Sequence, residues 1–156
     1  MMPTKALQID SKNRTIREIE IVSLASMQRA VGGFIERVPV NLLGDDDLWC
    51  DEEGMFKPQS SFFMIVGHYM PIAGNGLVTG RETEAGIAPP RAKAAELKQL
   101  IRWMTRDQAD AWAKANASDP ALTYTQVDPA TGEQTTEILV HVGRMFRDMP
   151  RPEGEE

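Results

Sequence analysis

Apolar and polar residues alternate with a period of two over residues 4–10 and 15–22, around the polar positions Ser11 to Arg14. The pattern predicts a hairpin. From Ser23 the period changes to that of a helix: Leu24, Met27 and Val31 fall on one face, Ser23 can cap the start, and Gly32-Gly33 supplies the end. Residues 34–40 read as a strand, with Pro39 marking an edge or a strand end because proline donates no ladder hydrogen bond. Residues 48–51 and Met55-Phe56 flank Glu52-Glu53-Gly54, which reads as a small hairpin turned by a glycine of positive φ. The most apolar stretch, residues 62–66 and 69–72, is the expected sheet interior, and residues 77–79 add a short strand between Gly76 and Gly80.

The pattern changes at residues 80–86, and Pro89-Pro90 sits where a helix begins rather than continues. Residues 91–104 carry Ala94, Leu97, Ile101 and Met104 at helical spacing. Thr105 to Gln108 then matches a capping box, opening a second helix that runs to about Asn116. Residues 122–127 and 135–142 are strands joined by a turn with Pro129 and Gly132. These elements predict an α+β fold: a mixed or antiparallel sheet with a short N-terminal helix, plus a C-terminal helix pair and β-hairpin. The expected organisation is an α+β domain over 1–82, a linker over 83–90, the helix pair and hairpin packed on it over 91–147, and a frayed tail over 148–156.

Composition narrows the function classes. With 42% hydrophobic and 26% charged residues the 156-residue chain is an ordinary globular one. Its 17 basic against 23 acidic residues give a net charge of −6, opposite to the footprint of a non-specific nucleic-acid binder. No apolar run has the length of a bilayer span and the first residues lack a signal-peptide core, so a cytoplasmic location is expected. The lone Cys50 excludes an internal disulfide and every multi-cysteine metal signature.

Candidate chemistry is sparse. Cys50 with His68 or His141 is the one thiol–imidazole combination, and nothing in the spacing supports it. Asp45-Asp46-Asp47 offers carboxylates to a hard cation, but adjacent side chains diverge, so a solvated turn is the reading and no metal is expected. The run from Gly74 through Gly76 to Gly80 departs from a dinucleotide loop by one residue of spacing, leaving Gly74, Gly76 and Arg81 as an anion-binding candidate. Trp103 and Trp112 lie across a helix break and serve either to lock the helices or to meet a partner.

The segment from Ser23 to Val40, with Leu24, Gln28, Val31, Gly32, Gly33, Ile35 and Glu36, followed by Glu52, Glu53 and Gly54 and later by Gly67, resembles a phage- and plasmid-borne family, the domain of unknown function 3846. The resemblance covers about residues 5–80 and departs at Pro58 to Ser61. It implies origin in a mobile element and life in a bacterial cytosol, and implies no activity. Its polar positions Gln28, Glu36, Glu52 and Glu53 form a candidate binding surface.

The expectation is a non-enzymatic accessory protein of a phage or plasmid, without cofactor, acting by protein contact on a host or phage protein or as a homo-oligomer. In one version it inhibits a host defence or nucleic-acid enzyme, with Asp45, Asp46, Asp47, Asp51, Glu52 and Glu53 meeting a basic cleft. The alternative is a binder or sponge for a nucleotide-like molecule at Gly74 to Arg81. A small hydrolase using Cys50 or an acid pair is a third class.

Overall fold

The computed structural model describes residues 3–40, 44–68, 70–116 and 123–138. Strands β1 (Thr4–Asp10) and β2 (Thr15–Ile21) form the expected hairpin, with Thr4 opposite Ile21 and Asp10 opposite Thr15. Helix α1 (Leu24–Val31) follows, then β3 (Ile35–Val38), β4 (Asp47–Asp51), a 3-10 turn (Gly54–Phe56), β5 (Ser61–Ile65), β6 (Ile72–Ala73) and β7 (Gly76–Thr79). Beyond a tiny hairpin of β8 (Glu82–Thr83) and β9 (Gly86–Ile87) come α2 (Ala94–Leu100), β10 (Ile101–Thr105), α3 (Arg106–Ala115), β11 (Thr123–Val127) and β12 (Gln134–Ile138).

The larger sheet has the order β2-β1-β7-β4-β3 and the smaller one β10-β5-β6, and every pairing in both is antiparallel. The β-alternation of side chains builds the layers from there. Ala6, Leu77 and Trp49 face α1, joining Met27, Ala30 and Val31 in one core. Their neighbours Leu7, Val78 and Leu48 point the other way, onto Phe63 and Ile65 of β5 and Leu97 of α2. On the far side of β5, Phe62 meets Met104 and the small face of α3, Ala109 and Ala113. The result is a stack of α1, the large sheet, the small sheet with α2 beside it, and α3.

Local rules explain the helix ends. Ser23 accepts from the Ser26 amide, and Gly32 closes α1 at φ 90°, a left-handed conformation that costs glycine little. Thr105 and Gln108 form the reciprocal capping box of α3.

Two local expectations are corrected. Residues 101–104 are not helical: Ile101 and Trp103 face the main core while Met104 faces α3, so α2 stops at Leu100 and the chain pairs with β5, Trp103 opposite Phe63. Apolar residues at 101 and 104 suit either period, and the long-range ladder to β5 decides. Residues 48–56 are not a hairpin: β4 pairs with β3 and β7, and the chain leaves it through a 3-10 turn. Gly54 is absent from the positive-φ glycines among the described residues. It is small because a Cβ there would lie 3.1 Å from the Ala73 carbonyl oxygen. His141, the ends of the 122–142 strands and the tail from 148 lie outside the described residues.

Leu97 is fully buried against residues of both sheets. Replacing it with alanine should lower the unfolding free energy by about 2 to 5 kcal/mol in a single urea transition. Tryptophan fluorescence and far-UV circular dichroism should report the same midpoint; separate midpoints would mean that the C-terminal elements unfold on their own.

Candidate functional site

The residues of the helix–strand motif converge on one carboxylate. Asp51, at the end of β4, is 6% exposed. Its Oδ1 accepts from the Glu53 amide at 3.0 Å and its Oδ2 from Lys57 Nζ at 2.6 Å, while the same ammonium donates to the Gly32 carbonyl at 3.0 Å. A buried carboxylate is costly unless charge-assisted bonds replace its water, and these do so. Gly33 passes directly over it, close enough that a Cβ would sit 2.5 Å from Oδ1. The Glu52 amide bonds back to the Phe34 carbonyl at 2.8 Å, so the end of α1, the start of β3 and the end of β4 meet at this junction.

Two concavities flank it. On the α1 side Gln28, Gly33, Phe34, Glu53 and Lys57 surround a shallow hollow of about 290 Å³, so the motif residues Gln28 and Glu53 do come together. On the opposite side lies a groove of about 330 Å³. Val38, Cys50, Ile72 and Ala73 line it beside Met55, Phe56, Met70 and Pro71, and Glu36, Asp51, Glu52 and His68 contribute its polar atoms. Phe56 remains 61% exposed at its edge. Antiparallel register puts Glu36 opposite Cys50, which places both on the groove face.

The groove brings Cys50 and His68 to one cavity, a proximity their sequence separation did not suggest. Burial, reinforced by the charges of Glu36 and Asp51, pushes the Cys50 thiol up to about 12. It is therefore protonated at neutral pH, the reverse of what a thiolate nucleophile needs. Burial also lowers the His68 pKa, opposed by the Pro39 carbonyl 3.2 Å from Nδ1.

The acidic candidates do not form one surface. Asp46 is buried and accepts from the amides of Arg91 and Ala92, both at 2.8 Å, tying the approach to α2 onto the start of β4. Asp45 bridges Arg81 at 2.9 Å and Arg91 at 3.4 Å, and Asp47 lies 3.9 Å from Arg37. Asp51, Glu52 and Glu53 are at the other end of β4, roughly 13 Å away at the usual rise per residue. Among the described residues no group of three or more His, Cys, Asp or Glu side chains converges to hold a metal ion. No helix there is long and apolar enough to cross a membrane.

Gly74, Gly76 and Arg81 have separate structural tasks. Gly74 backs onto Gln59 and its carbonyl accepts from the Ser11 hydroxyl. Gly76 lies in the core, where a Cβ would meet Phe63 at 2.8 Å, and Arg81 is bonded to Asp45. Trp103 packs on the main core and Trp112 on the α3 core. Lys57, Phe56 and Met70 were missed as site residues, and His68 was weighed only as a partner for Cys50. The signal for Lys57 was slight: a lone cation six positions after an aspartate.

Residues 4–101 match the family model described as Domain of unknown function (DUF3846). No curated protein and no solved structure matches the chain.

The close approach at Gly33 predicts a coupled pair. Gly33→Ala should destabilise by about 1 to 3 kcal/mol in the wild-type background, and by much less when Asp51 is already alanine. A double-mutant cycle in urea checks this, and strict additivity would show that the two residues do not compete for the same space.

Proposed function

The chain is a member of the DUF3846 family, and from that premise we propose a non-enzymatic protein that acts by protein–protein contact through the groove beside Asp51. The phage or plasmid setting implied by the resemblance belongs to the same proposal. The observation that carries it is the groove's composition. An apolar lining with the exposed Phe56 at its edge is the anatomy of a contact site, where a partly exposed aromatic anchors a partner. The thiol in it is pushed up to about 12, so almost no thiolate is present at neutral pH, which speaks against Cys50 as a nucleophile.

The pairing of Asp45, Asp46, Asp47 and Asp51 with basic side chains or amides narrows the charge available to a basic partner. Glu36, Glu52 and Glu53 are exposed and have no ion pair among the described residues. They are the acids this reading assigns to contact. A small apolar ligand is the second reading, favoured by a volume at the lower end of small-molecule pockets. It moves the small-molecule site from Gly74 to the groove.

A photo-cross-linking residue at position 56 should yield a protein adduct in the bacterial cytosol, whereas the same residue at Leu24, 55% exposed on α1, should not. Glu52→Lys should weaken the adduct while shifting stability by no more than about 0.5 kcal/mol. Absence of a protein adduct, with a small-molecule mass retained in native mass spectrometry, would contradict the reading.

A further inference from the structure

Resting on the protein-contact reading, we infer that the partner segment is an extended, basic–apolar peptide that adds as a sixth strand along β3 of the large sheet. β3 is the terminal strand in the order β2-β1-β7-β4-β3, and among the described residues only β4 pairs with it. The direction of its free groups follows from one bond. The Glu52 amide donates to the Phe34 carbonyl, so position 34 belongs to the hydrogen-bonded set with β4, and in an antiparallel ladder that set continues at Glu36 and Val38. The backbone N–H and C=O groups of Ile35 and Arg37 therefore face outward, the arrangement an incoming strand requires.

Side-chain parity sets the peptide's chemistry. A residue opposite Glu36 or Val38 projects to the groove face, where it meets a carboxylate in the first case and the apolar lining in the second. Glu36 and the nearby Glu52 are exposed and make no ion pair among the described residues, so a lysine or arginine at the first position gains charge complementarity. Pro39 follows Val38 directly and offers no N–H, which limits the augmented ladder to the four residues of β3.

The test uses the full chain and a fluorescein-labelled hexapeptide, Thr-Lys-Thr-Val-Thr-Lys, whose alternate positions place a lysine and a valine two residues apart on the groove face. Fluorescence anisotropy should show saturable binding, and the same peptide with glutamate in place of each lysine should not bind. Methylating alternate peptide nitrogens in the register that faces β3 should weaken binding about tenfold, as expected for losing two strand hydrogen bonds. Glu36→Gln with Glu52→Gln should weaken it several-fold and flatten its salt dependence. On binding, the amides of Ile35 and Arg37 should become protected from hydrogen exchange, while those of Glu36 and Val38, already bonded to β4, should change little.

Equal binding of the methylated peptides in both registers, or of the acidic peptide, overturns strand addition. So does a concentration-dependent dimer that the peptide dissociates, which would assign the edge to a second copy of the chain. A cross-link at position 56 that persists under saturating peptide overturns this inference while leaving protein contact at the groove intact; loss of that cross-link with no protein adduct under any condition overturns both.

Discussion

The carboxylate of Asp51 is the constraint around which the candidate site is built. Removing a carboxylate from water is tolerable only when donors replace the water, and here the donors are the Glu53 amide and the Lys57 ammonium. Satisfying both requires the chain to fold back within six residues, which the 3-10 turn over Gly54–Phe56 accomplishes. The same ammonium reaches the carbonyl at the end of α1, so the turn and the helix are fastened by one side chain. Gly33 must then pass above the carboxylate, and only a residue without Cβ fits. The motif's glycines and acidic turn are thus parts of a single packing problem.

The groove follows from the way the two sheets meet. The five-stranded and three-stranded sheets share the core that contains Leu48, Val78, Phe63 and Ile72. Near β3 the large sheet ends, and the 3-10 turn together with His68, Met70 and Pro71 lines a groove beside Val38 and Cys50. Gly54 lets the turn approach Ala73, which places Met55 and Phe56 at the cavity. Asp51 thereby determines indirectly which apolar side chains the groove presents.

Much of the fold was legible wherever short-range chemistry dominates. The β1–β2 alternation, the Ser23 cap, the Gly32 terminus and the Thr105 to Gln108 capping box are all rules acting within a few residues. Residues 101–104 escaped because their apolar spacing suits either period, and a partner strand some 40 positions earlier decides between them. The acidic residues were visible as residues, but their meanings were not. Asp46 and Asp45 are defined by Arg81, Ala92 and Arg91, at separations of 36 to 46 positions, and composition alone made them seem solvated. Gln28 and Glu53 line the same hollow, whereas Glu36 faces the groove on the other side of the sheet. Met70 joined the site with no local signal at all, and His68 stood out only as one of two imidazoles that could accompany Cys50.

Amide hydrogen exchange on Lys57→Met beside the wild-type protein tests most directly whether the Asp51–Lys57 bond organises this corner of the molecule. The amides of Gly33, Glu53, Phe56 and residue 57 should exchange about tenfold faster or more, in excess of any change at Leu7 and Val78 in the middle of the large sheet. A uniform increase across both sets, or none at either, would contradict the central role given to that bond.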